Sequence, residues 1–304
     1  MWTWLRSLFW LAKPKPLPTV PRKVTQASRV QPLPPPYPVE SSQLFFLPWL
    51  TASDQQPLAT DEMTAPEQAV LDELQKLLTL KNLPDALLPR MADVLPQLIA
   101  LTRDNNLPAK AIARRVEKDA LLTAEVLRLA SSSYYNLDRP LTDIVQVIQL
   151  IGSAGLQTAI ARIVLKPIYR EGAGLMNANL VTRLAAHADA LAEFCALDAE
   201  QAGIPRFDGY LVGMLHNTGW RVALCAIERA KMPLAHAVSK QFAIEMTEIA
   251  HRLFGLAARR WPITPGFIAF AQDAVSHGLT SGQHALVPVL RAALQKCAAS
   301  SLRA

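Results

Sequence analysis

Histidines and their polar neighbours are the side chains of this 304-residue sequence best suited to chemistry. The candidates are His187, His216 with the adjoining Asn217, His251 and Asp273. Imidazole nitrogens and carboxylate oxygens can bind a divalent cation and activate a water on it. The spacing matches no standard set of metal ligands, however, and the neutral amide of Asn217 cannot compensate the charge of a cation. The sequence therefore has metal-ligand types without a complete metal site.

The strong signatures of catalysis are absent from the sequence. It has no glycine-rich phosphate loop, no Gly-x-Ser-x-Gly elbow, no His-Glu-x-x-His helix and no paired cysteines at zinc-ligand spacing. The three cysteines, Cys195, Cys225 and Cys297, are widely separated and odd in number, which argues against a disulfide framework and favours a reducing compartment. We expect neither a metal nor a cofactor.

Helical periodicity begins at Ala65, and the helices it predicts must position these residues. Apolar side chains recur every three or four positions, whereas long alternating runs of β-branched residues are absent. The pattern predicts an all-α fold, a compact bundle of short helices over residues 65–304, with a break near Gly152. The later helices are predicted over Leu180–Ala196, Tyr210–Arg229, Phe242–Trp261 and Val287–Ala299.

The basic excess of the sequence lies at its N-terminal end. The net charge is +6, and six cations precede Glu40, which is the first acid. The rest of the chain has no net charge, which argues against nucleic acid as a partner because phosphate binding needs a concentrated basic face. Twelve of the 23 prolines lie between Pro14 and Pro66. They predict an extended, largely unstructured linker over residues 14–64 that forms neither helix nor sheet.

Residues 1–13 have the composition of an amphipathic anchor. The segment is shorter than the ~20 apolar residues that a membrane crossing needs, so it would lie on a membrane surface or in the groove of a partner. The alternatives are a frayed terminus or a peptide folded back onto the domain. A second apolar patch, Phe45–Leu50, is expected to pack on the core of the chain itself. The anchor residues are Trp2, Trp4, Leu5, Leu8, Phe9 and Leu11.

Several motifs occur in an order that resembles the HDOD family, the bacterial output domains related to HD phosphohydrolases. The stretch Ile112–Tyr135 is similar to the family's first signature, with Ala120 in place of its proline and Ser131-Ser132 in place of its Asn-Ser. Pro140–Gly152 is similar to the helix that follows. The resemblance covers about residues 80 to 280 and also includes Leu83-Pro84, Tyr210–Trp220, His251–Gly255 and Trp261–Pro265.

The resemblance implies an HD-like helical bundle and a particular pocket. HD phosphohydrolases hold divalent metals with a His-Asp pair, an upstream histidine and a downstream aspartate. In this sequence His216-Asn217 takes the place of the pair, and Arg183 lies where the upstream histidine is expected. His187 is one turn away in a shifted register, and His277 is a further downstream candidate. We predict a degenerate, non-catalytic pocket made of Arg183, His216, Asn217, His251 and Asp273.

The resemblance implies a role in bacterial signal transduction. We expect a non-catalytic regulatory module that binds an unidentified signalling protein or a small ligand. The predicted partner surface is Ser131, Ser132, Tyr134 and Tyr135, for which packing between helices is the alternative. The alternative function is a divergent metal-dependent HD phosphohydrolase acting on a nucleotide. We expect a cytoplasmic location, with peripheral attachment to the inner face of the membrane if residues 1–13 bind lipid.

Overall fold

The computed structural model describes residues 39–50, 61–88, 109–117, 120–131, 141, 143–165, 176–232 and 238–301. These residues form eleven helices and no strand, which confirms the all-α fold. The helices are α1 (Val39–Leu50), α2 (Ala65–Leu78), α3 (Ala109–Val116), α4 (Ala120–Ala130), α5 (Ile144–Leu165), α6 (Ala178–Gln201), α7 (Arg206–His216), α8 (Thr218–Arg229), α9 (Lys240–Ala258), α10 (Pro265–His277) and α11 (Leu286–Ser301).

The helical region divides into two compact units, the smaller of which includes residues 94–163. It contains α3, α4 and most of α5. Glu125 of α4 pairs with Arg162 of α5 at 3.2 Å, which ties these two helices together. α5 is interrupted where Gly152 takes a φ of 63°, at the break that the sequence predicts. Among the described residues of this unit, the fully buried side chains are Val126, Val147, Ala159 and Ala161.

The larger unit contains α1, α2 and α6 to α11, within Pro34–Asp93 and Val164–Ala304. α6 packs along α7 and α11, while α9 packs against α2, α8 and α10. This arrangement surrounds a core rich in aromatic side chains, which brings the ends of α7 and α8 next to the middle of α9. The large aromatic residues that are almost completely buried are Tyr210, Trp220, Phe242, Phe254, Phe267 and Phe270.

Side-chain caps begin several helices of the larger unit. Thr64 and Glu67 form a capping box at the start of α2, and Asn177, Ser239 and Thr264 cap α6, α9 and α10. The Glu67 carboxylate also accepts a hydrogen bond from the Ser239 amide at 2.7 Å, which joins the start of α2 to the start of α9. Burial opposes ionisation, yet the hydrogen bonds from Thr64 and Ser239 hold the pKa of Glu67 below its ordinary value.

α1 corrects one prediction and confirms another. The prolines of residues 14–64 predict no helix, yet Val39–Leu50 is helical and contains Pro48. The prediction was wrong here because Phe46, Leu47 and Leu50 are buried, and their packing outweighs the cost of the proline. The expectation that this apolar patch packs on the chain's own core is confirmed.

The other N-terminal predictions lie outside the described residues. These are the anchor over residues 1–13 and the linker over residues 14–38 and 51–60. Within the described part of the chain, no single helix is long and apolar enough to cross a membrane. The two halves of α5 are bent by 97° at their break. Only together do they have the length and the apolar composition of a membrane-spanning segment.

Candidate functional site

Three histidines meet in the core of the larger unit, where the resemblance places the degenerate pocket. His216 is the last residue of α7, His251 lies on α9 and His187 on α6. All three side chains are buried. The ring centroids of His216 and His251 are 5.4 Å apart. The structure thus brings together two predicted pocket residues and the histidine that the sequence offers as a substitute ligand.

A close approach between α8 and α9 brings these histidines together. Gly219 lies in the first turn of α8, and a Cβ atom there would be 1.8 Å from the Ala250 carbonyl oxygen of α9. Real Cβ atoms never come so near a backbone oxygen, so only glycine allows this contact. Because Ala250 precedes His251, the glycine sets the position of His251 against the end of α7.

Asn217 holds the pocket together through its amide group. The residue is fully buried between α7 and α8. Its Nδ2 donates to the Leu184 carbonyl at 3.0 Å, and this orientation of the amide is fixed because a carbonyl can only accept. The same Nδ2 lies 3.0 Å from Nδ1 of His187. Oδ1 of Asn217 lies 3.3 Å from the same Nδ1, so the amide can donate to this nitrogen or accept from it, depending on the tautomer of His187.

The pocket is electrically neutral because burial disfavours the charged imidazoles. Burial lowers the pKa of His187 to about 4 and that of His216 to about 3, although the nearby Asn217 amide partly opposes both shifts. Burial also lowers the pKa of His251 well below its ordinary value, and the neighbouring His216 adds to this shift. Among the described residues, neither ring nitrogen of His216 or His251 has a hydrogen-bond partner.

Aromatic side chains close the mouth of the pocket. The Phe46 ring of α1 lies 4.6 Å from the His187 ring and 4.9 Å from the Trp220 ring, measured between centroids. The remaining space open to the centre of a water molecule is about 10 Å³, which is enough for one water at most. The residues that line it are Phe46, His187, His216, Asn217, Trp220, Thr247 and Leu294.

Arg183 faces α1 and not the imidazoles. Its guanidinium donates to the Trp49 carbonyl and lies 5.9 Å from the centroid of the Trp49 ring. Trp49 is the penultimate residue of α1, in the last turn, where backbone carbonyls can accept hydrogen bonds from side chains of other helices. A cation at this end also interacts favourably with the helix dipole. The arginine at the expected histidine position therefore attaches the N-terminal helix.

Asp273 makes its described contacts away from the three imidazoles. Its carboxylate accepts hydrogen bonds from the backbone amides of Gln283 and His284 at 2.9 and 3.0 Å. It also pairs with the imidazole of His277 at 2.8 Å. Burial opposes the shift, but these hydrogen bonds hold the pKa of Asp273 below its ordinary value. Asp273 thus stabilises the segment between α10 and α11, a role that its position in the sequence does not reveal.

The residues of the pocket do not fit the metal centre that the HD resemblance implies. The groups present are three neutral imidazoles and a neutral amide, whose Nδ2 donates to the Leu184 carbonyl. In the described part of the chain, no carboxylate joins them to offset the charge of a divalent cation. Among the described residues, no three or more His, Cys, Asp and Glu side chains are grouped so that they could hold a metal ion.

The predicted partner surface is described only at Ser131. This residue is exposed, and its hydroxyl donates to the Leu127 carbonyl at 2.9 Å. Ser132, Tyr134 and Tyr135 lie outside the described residues.

The sequence did not predict that Phe46 and Trp220 line the pocket. The aromatic patch around Phe46 was visible in the sequence, but nothing indicated which part of the core it would meet. Trp220 follows the His216-Asn217 pair closely in the sequence and was the one signal that an aromatic wall borders the pocket.

Two solved structures have the same fold as this chain. The chain is similar to a candidate metal-dependent phosphohydrolase from Shewanella amazonensis SB2B, at 16% identity and a TM-score of 0.57 over 79% of this chain and 86% of that one. A candidate phosphohydrolase from the same organism matches at 19% identity and a TM-score of 0.50, over 79% and 82% of the two chains. An HDOD domain protein from Geobacter sulfurreducens matches at 20% identity and a TM-score of 0.48, over 76% and 78%.

The match to a family model is more specific than these likenesses. No curated protein matches the chain. The model of the HDOD domain matches residues 88–261, which is more than half of the sequence and includes the His216-Asn217 pair and His251. The resemblance read from the motifs is therefore confirmed, and the chain belongs to the HDOD domain family.

Proposed function

We propose that this chain is a non-catalytic bacterial regulatory module that acts by binding another protein. The observation that carries the proposal is that the residue after His216 is a neutral amide, Asn217, which is fully buried and hydrogen-bonded. Its neutral amide stands in place of the metal-binding carboxylate of HD enzymes, donates to the Leu184 carbonyl and contacts Nδ1 of His187. The amide oxygen carries no charge, and among the described residues no carboxylate stands beside it to offset the charge of a bound cation.

The closure of the pocket supports the same proposal. A phosphohydrolase needs a site that admits its substrate and a water, whereas Phe46 and Trp220 leave room for a single water at most. The family membership supports an output role, in which the helical domain transmits a signal by contact. The free cysteines, two of them buried, are in keeping with the reducing cytoplasm that we propose as its location.

A divergent metal-dependent phosphohydrolase acting on a nucleotide is the second candidate. Two observations favour it: a structure of similar fold bears that name, and His216 and His251 have ring nitrogens without hydrogen-bond partners among the described residues. Those nitrogens could bind a metal only if α1 moved and a carboxylate from elsewhere joined them.

Metal analysis combined with an activity screen separates the two candidates. The full chain, purified without chelators, is analysed for bound metal and assayed against nucleotide phosphodiesters with added Mn²⁺, Mg²⁺ or Zn²⁺. We expect substoichiometric metal and no turnover. A protein that is recovered with the tagged chain from its native cell should also bind the purified chain directly. Stoichiometric metal together with turnover would overturn the proposal.

A further inference from the structure

α1 lies in a groove on the surface of three other helices of the larger unit. α1 packs on α6, α9 and α11, and its Phe46 side chain forms part of the lining of the histidine pocket. Three side chains of α1 enter the core, and each is at least 94% buried: Phe46, Leu47 and Leu50. The two leucines follow the phenylalanine by one and by four positions. These three side chains lie on one side of the helix, which is how a helix is seated in an apolar groove.

α1 depends on the groove for its structure. It has 12 residues, and isolated helices of fewer than about 12–15 residues are marginal in water. Pro48 lies inside it and cannot donate the hydrogen bond to the fourth residue before it, which weakens the helix further. Because docking and helix formation are coupled, a competing helix that fills the groove releases α1 as a whole.

The groove recognises features that many helices share. Arg183 donates to the carbonyl of Trp49, a backbone group that every helix has in its last turn. The rings of His187 and Trp220 receive the Phe46 ring, and the neutral imidazoles impose no charge requirement on an incoming side chain. Another helix with an aromatic-leucine pair and a leucine one turn later satisfies the same contacts.

We infer that the groove now filled by α1 is the docking site for an amphipathic helix of a partner protein, and that α1 is an intramolecular competitor that keeps this site closed. The inference rests on the proposed function, since it names the surface through which the module would bind its partner. Arg183 then has a defined role at the position where HD enzymes have a metal-binding histidine: it recognises the end of whichever helix occupies the groove.

A peptide corresponding to residues 39–50 serves as the probe, and the full chain is the receptor. The fluorescently labelled peptide is titrated with wild-type chain and with a Phe46→Ala variant, whose own α1 is weakened. We expect the variant to bind the peptide at least ten times more tightly than the wild type. Adding Arg183→Gln to the variant should weaken binding at least tenfold, because the incoming helix loses its C-terminal partner.

Matched variants control for unspecific effects. Leu80→Ala removes an exposed apolar side chain elsewhere and should bind the peptide as the wild type does. Arg259→Gln, at an exposed arginine, should leave the binding of the Phe46→Ala chain unchanged. If Phe46→Ala fails to fold, Leu50→Ala weakens α1 in the same way. A labelled peptide that itself carries Phe46→Ala should bind none of these proteins.

Equal affinity of the wild type and the Phe46→Ala chain for the peptide would overturn the inference. So would the absence of peptide binding by a folded Phe46→Ala chain in which hydrogen exchange shows that α1 is released. Insensitivity to Arg183→Gln would also contradict the recognition that we describe. None of these outcomes requires the native partner. A protein that binds elsewhere on the chain would uphold the proposed function while the groove fails, and stoichiometric metal with turnover would overturn the proposed function alone.

Discussion

At position 217 an amide performs a task that a carboxylate cannot. Asn217 has amide protons to donate: Nδ2 donates one to the Leu184 carbonyl and also lies 3.0 Å from Nδ1 of His187. An aspartate has none, so it would leave the carbonyl unsatisfied and place a negative charge in a dry pocket. The departure from the HD motif therefore stabilises the fold at the point where the enzyme families bind metal.

Replacing this amide should destabilise the protein. We expect Asn217→Asp to lower the free energy of unfolding by about 2–4 kcal/mol at pH 8, where His187 cannot lend a proton to the new carboxylate. Urea denaturation followed by tryptophan fluorescence measures the loss. Asn177→Asp is the matched control: Asn177 caps α6 at an exposed position where Asp caps equally well, so its effect should be within about 0.5 kcal/mol of zero. Equal losses for the two variants would contradict this reading of the pocket.

The buried imidazoles should make stability depend on pH in the acidic range. Their pKa values are lowered in the folded state, to about 4 for His187 and about 3 for His216. The unfolded chain therefore binds more protons between about pH 6.5 and those values, so stability is greatest above pH 6.5 and falls as the pH falls. Each of these imidazoles should lower the free energy of unfolding by about 2 kcal/mol as the pH falls from 7 to 5.

Urea titrations at pH 7, 6 and 5 test this dependence. The denaturation midpoint should fall steadily over the series. His277→Gln, which removes an exposed histidine, should leave the decline in place. A midpoint that stays constant down to pH 5 would mean that the three imidazoles are not held neutral in the folded protein.

Among the helices, the crossing of α8 and α9 is the contact on which the pocket depends. The added methyl of Gly219→Ala would meet the Ala250 carbonyl at 1.8 Å, and two helix backbones must separate to admit it. We expect a loss of about 3–5 kcal/mol in the free energy of unfolding, measured by urea denaturation. Gly203→Ala is a control without a clash: its φ is 73° and nothing lies within 4 Å of the new Cβ. It should cost only about 1–2 kcal/mol of backbone strain.

Helices that are stabilised by residues close to them in the chain could be predicted from the sequence. α2 begins at Ala65 as expected, because Thr64 and Glu67 are neighbours in the chain and form its cap. The approach of His216 and Asn217 to His251 also followed from the family motifs. α1 could not be predicted, because its stability comes from residues more than 100 positions away, including Arg183. Asp273 was assigned to the pocket because a sequence does not show that backbone amides already use its carboxylate.

For the molecule as a whole, the uneven charge distribution is the feature with the clearest consequence. Residues 1–39 contain six cations and no acid, while the remaining 25 cations and 25 acids cancel. Basic residues near an anionic bilayer contribute about 1 kcal/mol each, and apolar side chains of an interfacial helix add to this. Attraction to such a surface would therefore reside in the N-terminal segment alone, separate from the pocket and from the groove that holds α1.

Deletion of residues 2–13 should accordingly abolish attachment to membranes without loss of the fold. We expect the full chain to co-sediment with vesicles that contain phosphatidylserine, and the deletion to lower the bound fraction at least tenfold. Replacing Trp4 and Phe9 together by alanine keeps the charge and should cause most of that loss, because apolar insertion is removed. Raising the salt to 0.5 M should weaken the attachment of the full chain, since the Debye length falls to about 4 Å. If the shortened chain co-sediments as well as the full one, residues 2–13 are not the membrane anchor, since they contain the apolar residues and two of the six N-terminal cations.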